Sequence, residues 1–240
     1  MNYQGELLYT GKTKQVFTTE NPEQVIIHYK DDALAYNGIK RAQITNKGVI
    51  NNKISANIYQ RLEKLGFNTH FIERINDREQ LCKRKEHFIQ LEFIVRNIAA
   101  GSMAKRLGLK VGTSLPTPVY ELCYKNDELH DPLINEHHAV ALGLSSYEEL
   151  AEIQAIVVHL NAELQKIFNS IGVTLVDAKF EFGRTAADGS LVLADEISPD
   201  TTRLWDTATL ESLDKDRFRR DLGKISEAYM EILKRLEENF

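Results

Sequence analysis

Cysteine, proline and long apolar runs are scarce in this chain, and each scarcity removes a class of answer. Its two cysteines, Cys82 and Cys123, stand far apart in sequence, which fits a reducing cytosol better than a disulfide framework. No apolar run approaches the roughly 20 residues of a membrane-spanning helix. The opening Met1-Asn2-Tyr3-Gln4-Gly5-Glu6 lacks a basic region followed by an apolar core, so no signal peptide is expected. Prolines number only five, and no Pro/Gly/Ser-rich tract or repeat interrupts the chain, so tethered independent domains are not expected. Positive charge is in deficit too: the net charge of −5 argues against a nucleic-acid binder. What remains, 42% hydrophobic and 27% charged over 240 residues, has the balance of a soluble cytoplasmic enzyme. The length allows one large domain or two lobes around a cleft.

Positive charge is nonetheless concentrated locally. From Phe93 to Tyr120 there are four cations, Arg96, Lys105, Arg106 and Lys110, and no acid. In an acidic protein such a stretch suits a small phosphate better than a polymer. The first ninety residues read as strands at Leu7–Tyr9, Gln15–Thr18, Gln24–Tyr29, Thr69–Ile75, Gln80–Lys83 and His87–Val95. One helix interrupts them, with Ile54, Ile58, Leu62 and Leu65 on a stripe and Gly66 as its terminator. Beyond, a short helix is expected to start at Ser102, capped by its hydroxyl, and to stop at Gly108. Ser146 with Glu149 has the capping-box pattern ahead of a long amphipathic helix that ends before Gly172. Ile225, Tyr229, Ile232, Leu233 and Leu236 mark a closing helix. The expected class is α+β and two-lobed: a β-rich N-terminal lobe over 1–92 and a mixed lobe over 93–240.

The most informative segment runs from Leu175 to Trp205. Leu175 to Phe182 alternates with period two, so Asp177, Lys179 and Glu181 share one face opposite Val176, Ala178, Phe180 and Phe182. After an Asp188-Gly189 turn signal, Leu191 to Glu196 forms a second strand that ends in acid. A hairpin with one solvated polar face is the simplest account of such alternation. Against it, the second strand is apolar on both faces up to Ala194, which makes the hairpin central. Carboxylates beside a lysine suit a hard divalent cation and an anionic substrate. The register of Glu181 against Asp195 or Glu196 is not readable from the loop.

Leu-Val-Asp-Ala-Lys-Phe-Glu-Phe-Gly (175–183), Ala-Asp-Glu-Ile-Ser-Pro-Asp (194–200) and Arg-Leu-Trp-Asp (203–206) resemble signature segments of the SAICAR synthetase family, ATP-dependent ligases of purine biosynthesis. The resemblance extends to Tyr9–Lys14, Val95–Ser102 and Asp214–Arg219, in the family's order along the whole chain. It implies an ATP cleft between the lobes and a reaction joining L-aspartate to the carboxylate of carboxyaminoimidazole ribonucleotide. Gly11, Lys12 and Lys14 would then belong to a hairpin over the ATP phosphates. The same turn lacks the early glycine of a Walker A loop, Glu6 standing in its place, and taken alone reads as a surface turn. Arg96, Ser102 and Arg203 would hold the 5′-phosphate of the ribonucleotide; without the resemblance, Arg96 and Ser102 read equally as a solvated arginine near a helix cap. Asp177 would orient the imidazole nucleotide, Lys179 would neutralise charge on the reacting carboxylate or γ-phosphate, and Lys125 would lie near the nucleotide. Glu181 and Asp195 would hold Mg²⁺.

One position departs from the family pattern: Asn37 stands where many members carry aspartate. It can hydrogen-bond substrate but not bind metal as an anion. His130, Asp131, Glu136, His137 and His138 lack the spacing of a zinc site and read as a polar loop. A homodimer, with no nucleic-acid or membrane partner, completes the expectation. Two rival classes remain: a small-molecule kinase using the same lysines and carboxylates, and a nucleotide-binding module without turnover.

Overall fold

A computed structural model describes residues 5–35 and 39–239, so Asn37 lies outside the described residues. In chain order the elements are β1 (Leu7–Thr10), β2 (Lys14–Thr18), β3 (Gln24–Tyr29), β4 (Asp32–Ala35), β5 (Lys40–Gln43), α1 (Lys47–Lys64), β6 (Phe71–Arg74), β7 (Glu79–Lys83) and β8 (Lys85–Phe88). There follow β9 (Leu91–Ile98), α2 (Gly101–Leu107), β10 (Ser114–Tyr124), β11 (Leu133–Ile134), α3 (Glu136–Ala141), α4 (Tyr147–Ser170) and β12 (Val173–Thr185). The chain closes with β13 (Leu191–Ala194), β14 (Thr202–Asp206), α5 (Asp216–Arg219) and α6 (Ile225–Glu238). The class is α+β, as expected.

The chain divides into two compact units that do not follow the expected 1–92 and 93–240 division. The first takes residues 1–88, 182–200 and 213–240, the second 89–181 and 201–212. The reason is visible in two elements. Strand β12 is thirteen residues long and contributes to both units, and the C-terminal helix α6 packs on α1 in the first.

In the first unit, antiparallel strands run in the order β1-β2-β3-β7-β6. Helix α1 buries Ile54, Ile58 and Leu62 of the predicted stripe together with Ile50, while Leu65, expected on the stripe, is the exposed C-cap; Gly66 follows with φ 88°, a left-handed position glycine takes without strain. Its N-terminus is served from afar: Asp31 accepts from the Gly48 N–H at 2.9 Å while also taking a two-pronged pair from Arg78. The expected strand at His87–Val95 is two strands, β8 and β9, separated at Ile89-Gln90. The Asp188-Gly189 turn is present, closed by Thr185 N–H to the Ser190 carbonyl at 3.0 Å.

The second unit is a sheet in which β9 lies between β10 and β12, and β12 pairs β14 on its other side. All of Val176, Ala178 and Phe180 are buried, and so are Asp177 and Glu181, at 6% and 3% exposure. The polar face of β12 is therefore not solvated. Ser146 caps α4 by accepting the Glu149 N–H at 3.1 Å, while the Glu149 carboxylate takes a bond from Ser145. Ser102, by contrast, is not a cap: Ala100 is the N-cap of α2 and no side chain caps it. The cysteines are free and buried, which pushes Cys82 up to about 12 and Cys123 to about 11.

Ser146→Ala should lower the unfolding free energy by about 1 kcal/mol, the usual worth of a side-chain N-cap. Urea titration of the two proteins measures it.

Candidate active site: two sets of buried ion pairs

The alternation of β12 acquires its meaning from register. Asp177 lies directly across from Arg96 on β9 and from Arg203 on β14. Cross-strand partners share a face, so three strands place Arg96, Asp177 and Arg203 in one row. Arg96 Nη1 donates to Asp177 Oδ2 at 2.9 Å, and Arg203 Nη1 donates to the same oxygen. Glu121, on β10, takes Nε and Nη2 of Arg96 at 3.0 and 2.9 Å and also pairs with Arg106. The Ser102 hydroxyl accepts from Arg96 Nη2 at 3.2 Å. This corrects the expected cap: Ser102 sits one residue inside α2 and turns its oxygen to the guanidinium. Gly101, just before it, has φ 55°, and a Cβ there would stand 2.7 Å from Arg203 Nη2. Only glycine lets the backbone approach that guanidinium so closely.

One step along the same face, the Lys179 ammonium joins Glu92 at 2.9 Å and Glu181. Lys125, lying 41% exposed at its side chain, takes the other Glu181 oxygen. Five cations (Arg96, Arg106, Lys125, Lys179, Arg203) thus meet four carboxylates (Glu92, Glu121, Asp177, Glu181) within the second unit. The surplus positive charge and the directed donors suit an anion with several oxygens.

The first unit carries a second set. Gly11 to Lys14 form the turn between β1 and β2, with Gly11 N–H bonded to the Lys14 carbonyl at 2.8 Å. Lys30 ties the turn down, reaching the Gly11 and Lys12 carbonyls at 3.3 and 3.5 Å. The Lys14 ammonium pairs with Asp195 and, at 3.0 Å, with Glu196, and it stands 5.6 Å from the Tyr29 ring centre. Burial works against its charge, but the two carboxylates more than reverse this and raise its pKa well above the ordinary lysine value. Deeper still, Lys47 of α1 meets Asp200 at 2.5 Å, and Tyr229 of α6 donates to the other Asp200 oxygen at 2.8 Å. Burial would raise the Asp200 carboxyl, yet Lys47 and Lys215 hold it below the usual carboxylate range.

In sequence, Arg96, Ser102 and Arg203 read as a phosphate anchor, Asp177 with Lys179 as substrate-facing residues, and Glu181 with Asp195 as a metal pair. Arg96, Ser102, Asp177 and Arg203 lie together, and Lys179 pairs with Glu181, as Lys125 does. Glu181 and Asp195 belong to different units, and Asp195 pairs with Lys14, which closes the turn that holds Gly11 and Lys12. Glu92, Glu121, Lys47 and the role of Asp200 were missed. For Glu92 a signal existed, since Glu92, Ile94 and Arg96 alternate on β9 as Asp177, Lys179 and Glu181 do on β12. Lys47 gave none. Of the histidines, His138 closes a capping box with Asn135, and His137 bonds the Tyr147 hydroxyl at 2.7 Å.

The profile of the family described as SAICAR synthetase matches residues 7–236. The chain is 57% identical over 234 residues to the phosphoribosylaminoimidazole-succinocarboxamide synthase of Fusobacterium nucleatum, covering 98% of both chains. It is 58% identical to that of Clostridium botulinum strain Hall over 97% of this chain and 98% of the relative. Among solved structures, the synthase of Ehrlichia chaffeensis superposes with a TM-score of 0.94 at 44% identity, over 97% of this chain and 98% of that one. A SAICAR synthetase in complex with ADP gives 0.91 at 44%, over 96% and 97%.

Lys47→Met should cost about 3–5 kcal/mol at neutral pH, because it strands a buried carboxylate. Asp200 has a depressed folded pKa, so its stabilising contribution is present above the unfolded carboxylate value of about 3.9 and fades as pH falls through the folded value. The gap between wild type and variant should therefore be widest near pH 7 and narrow on acidification. Denaturant melts at stepped pH check both the size and the narrowing.

Proposed function

Because the chain belongs to the SAICAR synthetase family, it joins L-aspartate to the C4 carboxylate of carboxyaminoimidazole ribonucleotide in purine biosynthesis, converting ATP to ADP and phosphate, and we propose how its buried ion pairs do this. A carboxylate is a poor electrophile. Phosphoryl transfer from ATP gives an acyl phosphate, which the aspartate amine attacks with loss of phosphate. Such chemistry needs positioning and charge neutralisation more than a nucleophilic side chain.

The observation that supports these assignments is the row Arg96–Asp177–Arg203. Asp177 holds two guanidiniums from opposite strands, so their remaining donors are fixed before substrate arrives. Arg96, Ser102 and Arg203 bind the ribonucleotide 5′-phosphate in this reading, and Asp177 orients both the arginines and the nucleotide. The phosphate anchor rests on side chains, since α2 has only seven residues. Lys179 neutralises the reacting carboxylate or the γ-phosphate. Gly11, Lys12 and Lys14 meet the ATP phosphates, and Lys125 lies at the nucleotide. Arg96→Ala should weaken ribonucleotide binding and also carry a folding cost, because Glu121 and Asp177 would lose their common partner.

Glu181 in the second unit and Asp195 in the first are each proposed as oxygen ligands to Mg²⁺. The donor chemistry fits: both are carboxylates, and Mg²⁺ takes one or two of these while keeping waters and substrate phosphates. Mg²⁺ would neutralise phosphate charge during transfer. Both carboxylates are already neutralised without metal, Glu181 by Lys125 and Lys179 and Asp195 by Lys14. Removing either charge should not raise apo stability. In this reading the working enzyme is a cytoplasmic homodimer.

Coupled ADP release with each substrate omitted in turn is the direct test. Release that needs both aspartate and ribonucleotide is expected; release without aspartate would mark a kinase, and ATP binding without turnover a non-catalytic module.

Glu181→Gln and Asp195→Asn should fold, lose most turnover, and require more Mg²⁺ for both the residual rate and ADP binding. Wild-type Mg²⁺ midpoints in calorimetric ADP titrations of both variants would remove the metal roles.

A further inference from the structure

Asp195 holds its side chain on a backbone that ordinary residues avoid. Its φ is 63°, in the left-handed region, where a residue with a Cβ is strained unless its surroundings impose the conformation. The surroundings are specific. Tyr59 of α1 is wholly buried, and its hydroxyl reaches the carbonyls of both Ala194 and Asp195 at 3.0 Å each. One proton is thus shared between the two carbonyls that bracket the strained residue.

Tyr59 is itself braced. His70, also fully buried, meets its ring edge-on at 5.4 Å between centroids, and Phe71 stacks on it at 5.8 Å. His70 Nδ1 lies 3.2 Å from the Lys85 ammonium and so accepts from it, leaving Nε2 to carry the ring proton. Burial first, then Lys85 and Lys14, push the His70 pKa well below its ordinary value, so the ring is neutral. The backbone around it completes the frame: His70 N–H donates to the Leu193 carbonyl at 2.9 Å, and Leu193 N–H to that of Asn68 at 3.0 Å. None of these groups is needed simply to end β13; a glycine or an ordinary turn would do so with less strain. The frame instead fixes one direction for the Asp195 carboxylate, the one in which it pairs with Lys14.

We propose that the Tyr59 hydroxyl is a positioning residue for Asp195, holding its peptide in the left-handed conformation so that the carboxylate is pre-set to receive Mg²⁺. The inference rests on the metal reading of Asp195 above. Tyr59→Phe keeps the ring, its stacking and its burial, and removes only the donor.

The experiment is a Mg²⁺ titration of ADP binding by calorimetry, without turnover, in wild type, Tyr59→Phe, Asp195→Asn and Phe71→Leu, beside apo thermal melts. Tyr59→Phe should raise the Mg²⁺ midpoint about tenfold, the lower end of what a group behind a metal ligand is worth, with ribonucleotide affinity unchanged. Phe71→Leu, which loosens the same cluster but leaves the hydroxyl, should lower the melting temperature without moving the midpoint. A midpoint shifted in Asp195→Asn but not in Tyr59→Phe would overturn the positioning role alone. Equal shifts in Tyr59→Phe and Phe71→Leu would reduce it to general packing. An unmoved midpoint in Asp195→Asn would overturn the metal reading and the positioning role with it.

Discussion

The carboxylate of Asp177 is the group on which the second unit's chemistry depends. It is buried on a central strand, where an unpaired charge would be strongly unfavourable, and two arginines from the strands on either side compensate it. The arrangement works in both directions. The arginines make the carboxylate tolerable, and the carboxylate fixes the guanidiniums at a spacing their flexible stems would not keep alone. Glu121 repeats the device from β10, and Gly101 lets the start of α2 close on Arg203. Taking any one member away leaves another as an unbalanced buried charge, so binding and folding cannot be separated cleanly in this network.

The first unit solves the same problem with lysines. Lys14 answers Asp195 and Glu196, while Lys47 answers Asp200. An ammonium is a compact point charge with rotatable donors, so the geometry must be imposed by something else. Around Asp200 that is Tyr229, and around Asp195 it is the backbone itself, held by Tyr59. If phosphate-bearing substrates bind there as proposed, they would exchange one set of counter-charges for another without exposing a bare charge on either side. That exchange would be a physical reason for a ligase to hold so many buried acids and bases.

Much of this was legible in the chain. Periodicity of 3.6 placed α1, α4 and α6, because each buries one apolar stripe, and period two placed Asp177, Lys179 and Glu181 on a common face. The helix expected at Ser102 was shifted by a residue, since a serine near a helix start satisfies the capping pattern whether its hydroxyl bonds the backbone or, as here, Arg96. Strand β10 went unread because Ser114–Tyr124 carries two prolines and no clean alternation. The 1–92 division failed to anticipate that 182–200 and 213–240 would join the first unit, for contiguity in sequence says nothing about which surface a returning segment covers.

The residues by themselves determined the family, the reaction and the identity of most charged groups, because motifs in a fixed order record the chemistry that substrates demand. They also determined that Asp177 and Glu181 share a face, since the pleat of a strand allows no other outcome. Only tertiary structure decided which cation each acid would meet. Opposition of Asp177 to Arg96 and Arg203 depends on strand register, and pairing of Lys47 with Asp200, 153 positions apart, depends on how a helix and a distant loop pack. Register and packing are set by the whole buried surface at once, and no local stretch of sequence contains that sum.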